Sequence, residues 1–387
     1  VLSYRISKGT DFIRSLPQHQ RRSFLANPWQ WLHIDPVLLG IVLSIIAFGL
    51  CVLYSASTAD MATVLRQALR MAMGLGVMLM LAQLPPAFYR RWTPFVFGFG
   101  VVLLVLVLVM GIDAKGATRW LQLPGLPRFQ PSEIMKLAVP LMVAWYLGDR
   151  VRPPKPKPVI ASILLIFIPA ALVAKQPDLG TALLIGAAGF MVLFLSGLSY
   201  WYLLSLLALS IPAGIVMWYG FMHQYQKQRV LTFLDPEREP LGHGWNIIQS
   251  KIAIGSGGIE GKGWLKGTQS HLDFLPESST DFIIAVLAEE WGFIGMASLI
   301  GLYVLMVYRG AFIAMRAQDA FSQLLAGGIV FTWFVYVFVN IGMVSGILPV
   351  VGVPLPFVSY GGTSAVTLMA SIGILMSIHT HRRLLVG

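Results

Sequence analysis

Long apolar runs alternate with short polar ones along most of this chain. Runs of roughly 17–25 apolar residues have the length a helix needs to cross a bilayer. They fall near 37–55, 63–84, 94–112, 133–148, 158–175, 180–196, 200–221, 281–307, 322–343 and 359–379. The pattern predicts an all-α polytopic membrane protein of about ten transmembrane helices. Residues 1–36 form a polar, basic tail, with an interfacial helix expected around Trp29, Trp31 and Leu32. Residues 37–383 form a single transmembrane domain. One large loop, 222–280, lies between the seventh and eighth helices. The sixth and seventh helices meet at Ser196-Gly197-Leu198-Ser199, a single tight turn. The chain contains no internal repeat, so an inverted-repeat transporter gains no support.

Composition agrees with this reading. The chain has 387 residues, is 56% hydrophobic and has a mean hydropathy of +0.73. Soluble domains do not have this composition. The net charge of +11 could suggest nucleic acid, but the Lys and Arg fall between apolar spans and make no single basic face. They read as topology signals. With the tail inside, the inner segments carry Arg90, Arg91, Arg150, Arg152, Lys155, Lys157, Arg309, Arg316, Arg382 and Arg383. The short outer loops carry Lys115, Arg119, Arg128 and Lys175. This bias predicts both termini on the cytoplasmic side. Cys51 is the only cysteine, so no internal disulfide is possible. The first apolar span reads as a retained helix and not as a cleavable signal.

Candidate chemistry centres on Trp264–Phe282, a polar stretch closing the large loop. Hydrophobic periodicity resumes at Asp281, which places that carboxylate where a long loop enters the membrane. The alternative is a helix cap. Charges inside spans default to functional hypotheses. Glu133 and Lys136, three residues apart, share a helix face; they either fix packing as a neutral pair or line a substrate groove. Asp178 either caps the sixth helix or belongs to the site. Glu289 and Glu290 lie about 12–14 Å deeper than Asp281 at 1.5 Å per residue. Glu289 is expected to pair with a cation of another helix or to line a polar cavity. Arg66 and Arg70 read as snorkelling side chains, with a lipid-headgroup role as the alternative.

The loops add cations. In 113–132, Lys115, Arg119 and Arg128 are interleaved with Trp120 and Phe129, and Arg119 is the better candidate for a ligand. In the large loop, the amphipathic run from Gly244 predicts a short helix half-sunk in the interface. Gly255, Gly257, Gly258, Gly261 and Gly263 follow, close to Lys251, Lys262 and Lys266; they would allow backbone approach to an anion. The last outer loop is apolar yet broken by Pro349, Pro354, Pro356, Gly361 and Gly362, so it reads as re-entrant or packed on protein at membrane depth.

Five stretches carry a family likeness: RFQPSE (128–133), QPDLGT (176–181), QSKIAIGSGG (249–258), LPESSTDFIIAVLAEE (275–290) and GILPVVGVPLPFVSYGG (346–362). They resemble the SEDS family of cell-wall proteins over about 37–383, and the VVGVPLP wording resembles its elongation branch more than its division branch. The resemblance implies a peptidoglycan glycosyltransferase of the cytoplasmic membrane. Such an enzyme polymerises lipid II into glycan strands on the outer face, with a class B penicillin-binding protein as partner. The family's essential acidic residue maps to Asp281, and its PSExxK and QPDLGT motifs map Glu133, Lys136 and Asp178.

The chemistry this implies joins a sugar hydroxyl to an anomeric carbon whose leaving group is a lipid pyrophosphate. An α-linked donor and a β-linked product mean inversion, which needs one base and an assisted leaving group. Asp281 is the candidate base. A helix dipole would hold it ionised and weaken it, whereas partial burial opposes that. The leaving group needs positive charge. That charge comes either from a divalent cation such as Mg or Mn, with Asp281 as candidate ligand, or from Arg119, Lys136, Lys251 and Lys262. Gln269 and Glu277, in the polar stretch, join Glu133 and Asp178 as substrate-binding candidates. Membrane lipids are the other expected ligands, and no organic cofactor is expected. Two other classes compete: a lipid II flippase, and a non-catalytic scaffold for the transpeptidase. A flippase should carry polar groups through the full membrane depth, whereas Asp281, Asp178, Glu133 and Lys136 cluster in the outer half.

Overall fold

The computed structural model describes residues 32–114, 117–122, 128–222, 224–235, 243–271, 275 and 277–381. The basic tail, apart from Leu32 onward, lies outside them, as do Arg382 and Arg383. Helices occupy all ten expected segments: α1 (Pro36–Ala56), α2 (Met61–Ala82), α3 (Pro86–Met110), α4 (Pro131–Gly148), α5 (Pro156–Lys175), α6 (Leu179–Leu195) and α7 (Tyr200–Val216) come before the large loop. Within that loop lie α8 (Gln224–Leu234), α9 (His243–Gly257) and α10 (Thr268–His271). The chain ends with α11 (Ile283–Met315), α12 (Ala320–Val344) and α13 (Thr363–Thr380).

Their boundaries follow from local chemistry. Asp35, Asp60, Asp178 and Asp319 cap α1, α2, α6 and α12 by accepting from backbone N–H groups of the first turn. Such caps contribute about 1 kcal/mol each. The Thr63 hydroxyl and the Ala62 amide hold the Asp60 carboxyl below its ordinary range. Proline opens α1, α3, α4 and α5, where its missing N–H and fixed φ do no harm.

Among the described residues, eight helices are long and apolar enough to cross a membrane. The two other expected spans are α6, which is apolar but only 17 residues long, and α4, which carries Glu133, Lys136 and Pro140. Both belong to the interior of the bundle. Glu133 is 7% and Lys136 4% exposed, so lipid does not meet their charges. Of those eight, α12 and α13 are the most enclosed, while none of the described side chains of α7 is buried.

Several expectations are corrected. The third span starts at Pro86 and not at 94, because the helix continues through Arg90 and Arg91 before reaching the apolar run. The eighth ends at Met315 and not at 307, for the same reason at Arg309. Within 113–132 the chain forms a two-stranded antiparallel hairpin, β1 (Ile112–Ala114) with β2 (Ala117–Trp120), the one sheet among the described residues. The amphipathic α9 packs one side on protein and leaves Ile252 46% exposed. Its Ile247, Ser250 and Ala253 are buried, and the Ser250 hydroxyl donates to the Val344 carbonyl at 2.8 Å.

α11 is broken at Gly292, whose φ of 60° and ψ of −155° lie outside helical space. The glycine-rich stretch after α9 fills the break. Phe293 and Ile294 donate to the carbonyls of Gly258 and Ile259 at 3.0 and 3.2 Å. Lys262 and Gly263 donate to the carbonyls of Glu289 and Glu290 at 3.0 and 2.9 Å. The loop therefore supplies both partners that the break removes. A Cβ on Gly261 would sit 2.2 Å from the Glu290 carbonyl oxygen, which explains the glycine. Gly257 and Gly261 thus serve backbone approach to a helix.

Candidate functional site

The site is built where the turn before α11 meets the apolar segment between α12 and α13. Residues 277–282 form a turn in which Thr280 and Phe282 donate through their amides to the Glu277 carbonyl. The Thr280 hydroxyl donates to Glu277 Oε2 at 2.6 Å. Phe282 stands at the N-cap of α11 with no side-chain cap bond. Asp281 is therefore not the N-cap residue of this helix.

The segment 346–362 wraps this turn. The Ser359 hydroxyl donates to the Thr280 carbonyl at 2.6 Å, and the Tyr360 amide to the Ser279 carbonyl at 2.9 Å. Gly352, with φ of 71°, turns its Cα toward the Asp281 carboxylate: a Cβ there would lie 3.6 Å from Oδ2. Asn340 of α12, fully buried, donates to the carbonyls of Asp281 at 3.0 Å and Val353 at 2.7 Å. An apolar stretch rich in Pro and Gly is tolerated at this depth because protein groups satisfy its backbone.

Asp178 approaches the same segment from α6. Gly180 packs so tightly on Val351 that a Cβ would be 2.6 Å from its carbonyl oxygen. Asp178 does cap α6, accepting from the Thr181 amide at 3.2 Å. It also accepts from Gln130 Nε2 at 3.0 Å and lies 3.9 Å from Arg119 Nη1. Arg119, on β2, donates to the Pro177 carbonyl as well. It ties the hairpin to the QPDLGT turn, and its Nε is buried without a hydrogen-bond partner.

Glu133 and Lys136 form the expected pair on α4, at 2.7 Å. Lys136 Nζ also lies 5.1 Å from the ring centroid of Tyr336 on α12. Tyr336 is one helical turn from Asn340, so both look out from one face of α12. Glu133 Oε2, Ser132 Oγ and Asn340 Oδ1 are buried with no hydrogen-bond partner in the protein. Buried polar atoms are nearly always satisfied, so such atoms mark room for water or a polar ligand.

Other candidates sit elsewhere. Lys262 pairs with Glu289 at 2.7 Å and donates to the Thr268 hydroxyl. Glu289 is fully buried and also accepts from the amides of Thr268 and Gln269. Gln269 thus belongs to this anchor through its backbone, while its own Oε1 has no hydrogen-bond partner. The partner of Glu289 comes from the loop and not from another helix. Glu290 accepts from the Ser55 hydroxyl and the Gly267 amide, fastening the loop to α1. Lys251 lies over Gly346, where a Cβ would be 2.3 Å from its Cε. Arg70 does not simply snorkel: it stacks over Tyr360 at 4.5 Å, whereas Arg66 stays exposed beside Asp60. Arg128, exposed, donates to Gln122. Asn340, Tyr336 and Gly352 escaped sequence reasoning, although a lone Asn in the apolar run of α12 was a usable signal.

The profile of the FtsW/RodA/SpoVE family, described as cell cycle proteins, matches residues 36–384. The chain belongs to this family. The E. coli K12 peptidoglycan glycosyltransferase MrdB is 54% identical over 358 residues, covering 92% of this chain and 96% of that one. A probable peptidoglycan glycosyltransferase FtsW of Trichlorobacter lovleyi is 38% identical, covering 92% and 95%. Among solved structures, a chain of a peptidoglycan synthase complex that coordinates polymerization and crosslinking aligns with a TM-score of 0.78 at 35% identity, covering 89% and 97%. The Thermus thermophilus rod shape determining protein RodA aligns with a TM-score of 0.67 at 30% identity, covering 89% and 96%. All five stretches that suggested the family lie inside the matched region.

Proposed function

We propose that this chain is a peptidoglycan glycosyltransferase that polymerises lipid II into β-1,4 glycan strands during cell elongation. The 54% identity to MrdB across nearly both whole chains carries the reading. Asp281 is the general base. The hydrogen bonds around it fix its backbone on both sides while its side chain keeps partial access to solvent. In an inverting reaction it takes the proton of the acceptor hydroxyl as that oxygen attacks the anomeric carbon. The pyrophosphate departs from the opposite face. Asp178, Arg119, Glu133 and Lys136 line the substrate groove beside segment 350–353, with Glu277 at its rim. Lys262 and Gln269 hold the loop and reach substrate only indirectly.

The described residues hold no group of three His, Cys, Asp or Glu that could cage a metal. Asp281 is the residue that would hold a divalent cation, which would supply positive charge to the site. When bound it would neutralise charge on the leaving group.

The protein is multi-pass, and the positive-inside bias supports cytoplasmic termini with Asp281 on the outer face of the cytoplasmic membrane. A class B transpeptidase is the expected partner, in keeping with the synthase complex to which the chain is similar.

The test is lipid II polymerisation by the purified protein with its transpeptidase partner, wild type against Asp281→Asn. Loss of glycan strands from a folded complex supports a base or metal-ligand role, and a titration with Mg separates the two. Strands formed at near wild-type rate remove Asp281 from the mechanism. A wild type that moves lipid II across vesicles without making strands would move the flippase reading forward.

A further inference from the structure

At the end of the bundle remote from Asp281, α6, α11 and α12 part around a cavity of about 470 Å³. Asn340 marks the Asp281 end of α12 and Gln323 the cavity mouth. Seventeen residues of helix separate them, about 26 Å at 1.5 Å each. That is most of the ~30 Å hydrocarbon core, so the cavity opens toward the other leaflet. The proposed reaction makes no use of it.

The walls are apolar, with Met191, Val330 and Phe334 among them. Ala311 and Ala314 of α11 leave the space that larger side chains would close. The mouth is different. Arg152 lines it, donating to Gln323 Oε1 at 3.3 Å and to the Ala320 carbonyl at 3.1 Å. Those bonds pin the guanidinium and use two of its five donors. Exposed Arg150, Lys155 and Lys157 flank it in sequence, and exposed Arg316 ends α11 beside the cavity residue Met315. The nearby carboxylates are engaged: Asp149 with Arg90, and Asp319 as the cap of α12. An apolar hole of a size typical for ligands, under a pinned guanidinium and a basic rim, complements a molecule with a hydrocarbon chain and an anionic head.

We propose that this cavity holds one acyl chain of an anionic diacyl phospholipid, with its phosphate on Arg152. The basic rim favours a net negative headgroup over a zwitterionic one.

Native mass spectrometry of the purified protein, delipidated and then titrated with phosphatidylglycerol or phosphatidylcholine, tests this. The wild type retains one phosphatidylglycerol in preference to phosphatidylcholine. Arg152→Gln, which removes the phosphate contact, lowers the phosphatidylglycerol affinity about fivefold. Ala311→Phe, which fills the cavity, loses the retained lipid of either kind. Should Ala311→Phe not fold, the rim variant alone decides. Equal retention of both lipids by the wild type overturns the proposal, as does lipid binding unchanged in either variant. Loss of transpeptidase assembly in Ala311→Phe with lipid still retained also overturns it, because the groove would then belong to a protein helix.

Discussion

The side-chain amide of Asn340 donates to the Asp281 carbonyl at 3.0 Å and to the Val353 carbonyl at 2.7 Å, joining the turn before α11 to the segment facing its carboxylate. Asn340 touches no reacting atom in the proposed mechanism; it positions Asp281. Asn340→Ala leaves both carbonyls without this donor and lets the carboxylate shift. A misplacement of about 1 Å can cost about 10²-fold in rate. Steady-state polymerisation should show kcat falling by about that factor with KM for lipid II little changed. A parallel rise in KM would point instead to direct substrate contact.

Lys262 separates two roles cleanly. As a pyrophosphate clamp, its loss would abolish activity at unchanged stability. Its pairing with fully buried Glu289 predicts the opposite order. Lys262→Met strands a buried carboxylate, and breaking such a pair from one side costs about 3–5 kcal/mol, less here because Lys262 is partly exposed. The thermal midpoint should drop, and Lys262→Met/Glu289→Gln should recover part of the loss.

Gly292 occupies a backbone region open almost only to glycine, and a Cβ would lie 2.4 Å from the Gly261 nitrogen. Gly292→Ala should destabilise by at least about 1–3 kcal/mol through backbone strain alone. The inserted loop should also come loose. Limited proteolysis within 257–269 reads this directly, and an unchanged cleavage pattern would contradict the insertion.

His33 stacks on His381 with ring centroids 3.7 Å apart. Burial first, and the His381 charge second, lower the His33 imidazole below its ordinary 6.5. Protonation is then harder in the folded state than in the unfolded one. This contribution is fully present above 6.5 and is lost as pH falls below it. Thermal midpoints measured from about pH 7 down to about pH 5 should decline, and less steeply in His33→Gln.

Hydrophobic run length by itself determined the all-α class and the approximate place of each span, because the bilayer fixes how many apolar residues a helix needs. Most helix starts were legible to within a few residues, α3 excepted, since Asp caps and N-terminal prolines act within one turn. Asp281, Asp178, Glu133 and Lys136 stood out for a local reason: charges beside apolar runs are expensive. Only the tertiary structure decided which groups each meets. The break in α11 and the loop that mends it join residues 27 to 35 positions apart, and no local pattern encodes that match. Lys262 reads as a free cation in sequence and is paired with buried Glu289 in the fold. Asn340, an ordinary polar residue in an apolar helix, holds the Asp281 backbone because α12 passes beside that turn. Sequence sets which groups carry charge and where helices begin; long-range packing sets which of those groups meet, and so which are consumed by structure and which face substrate.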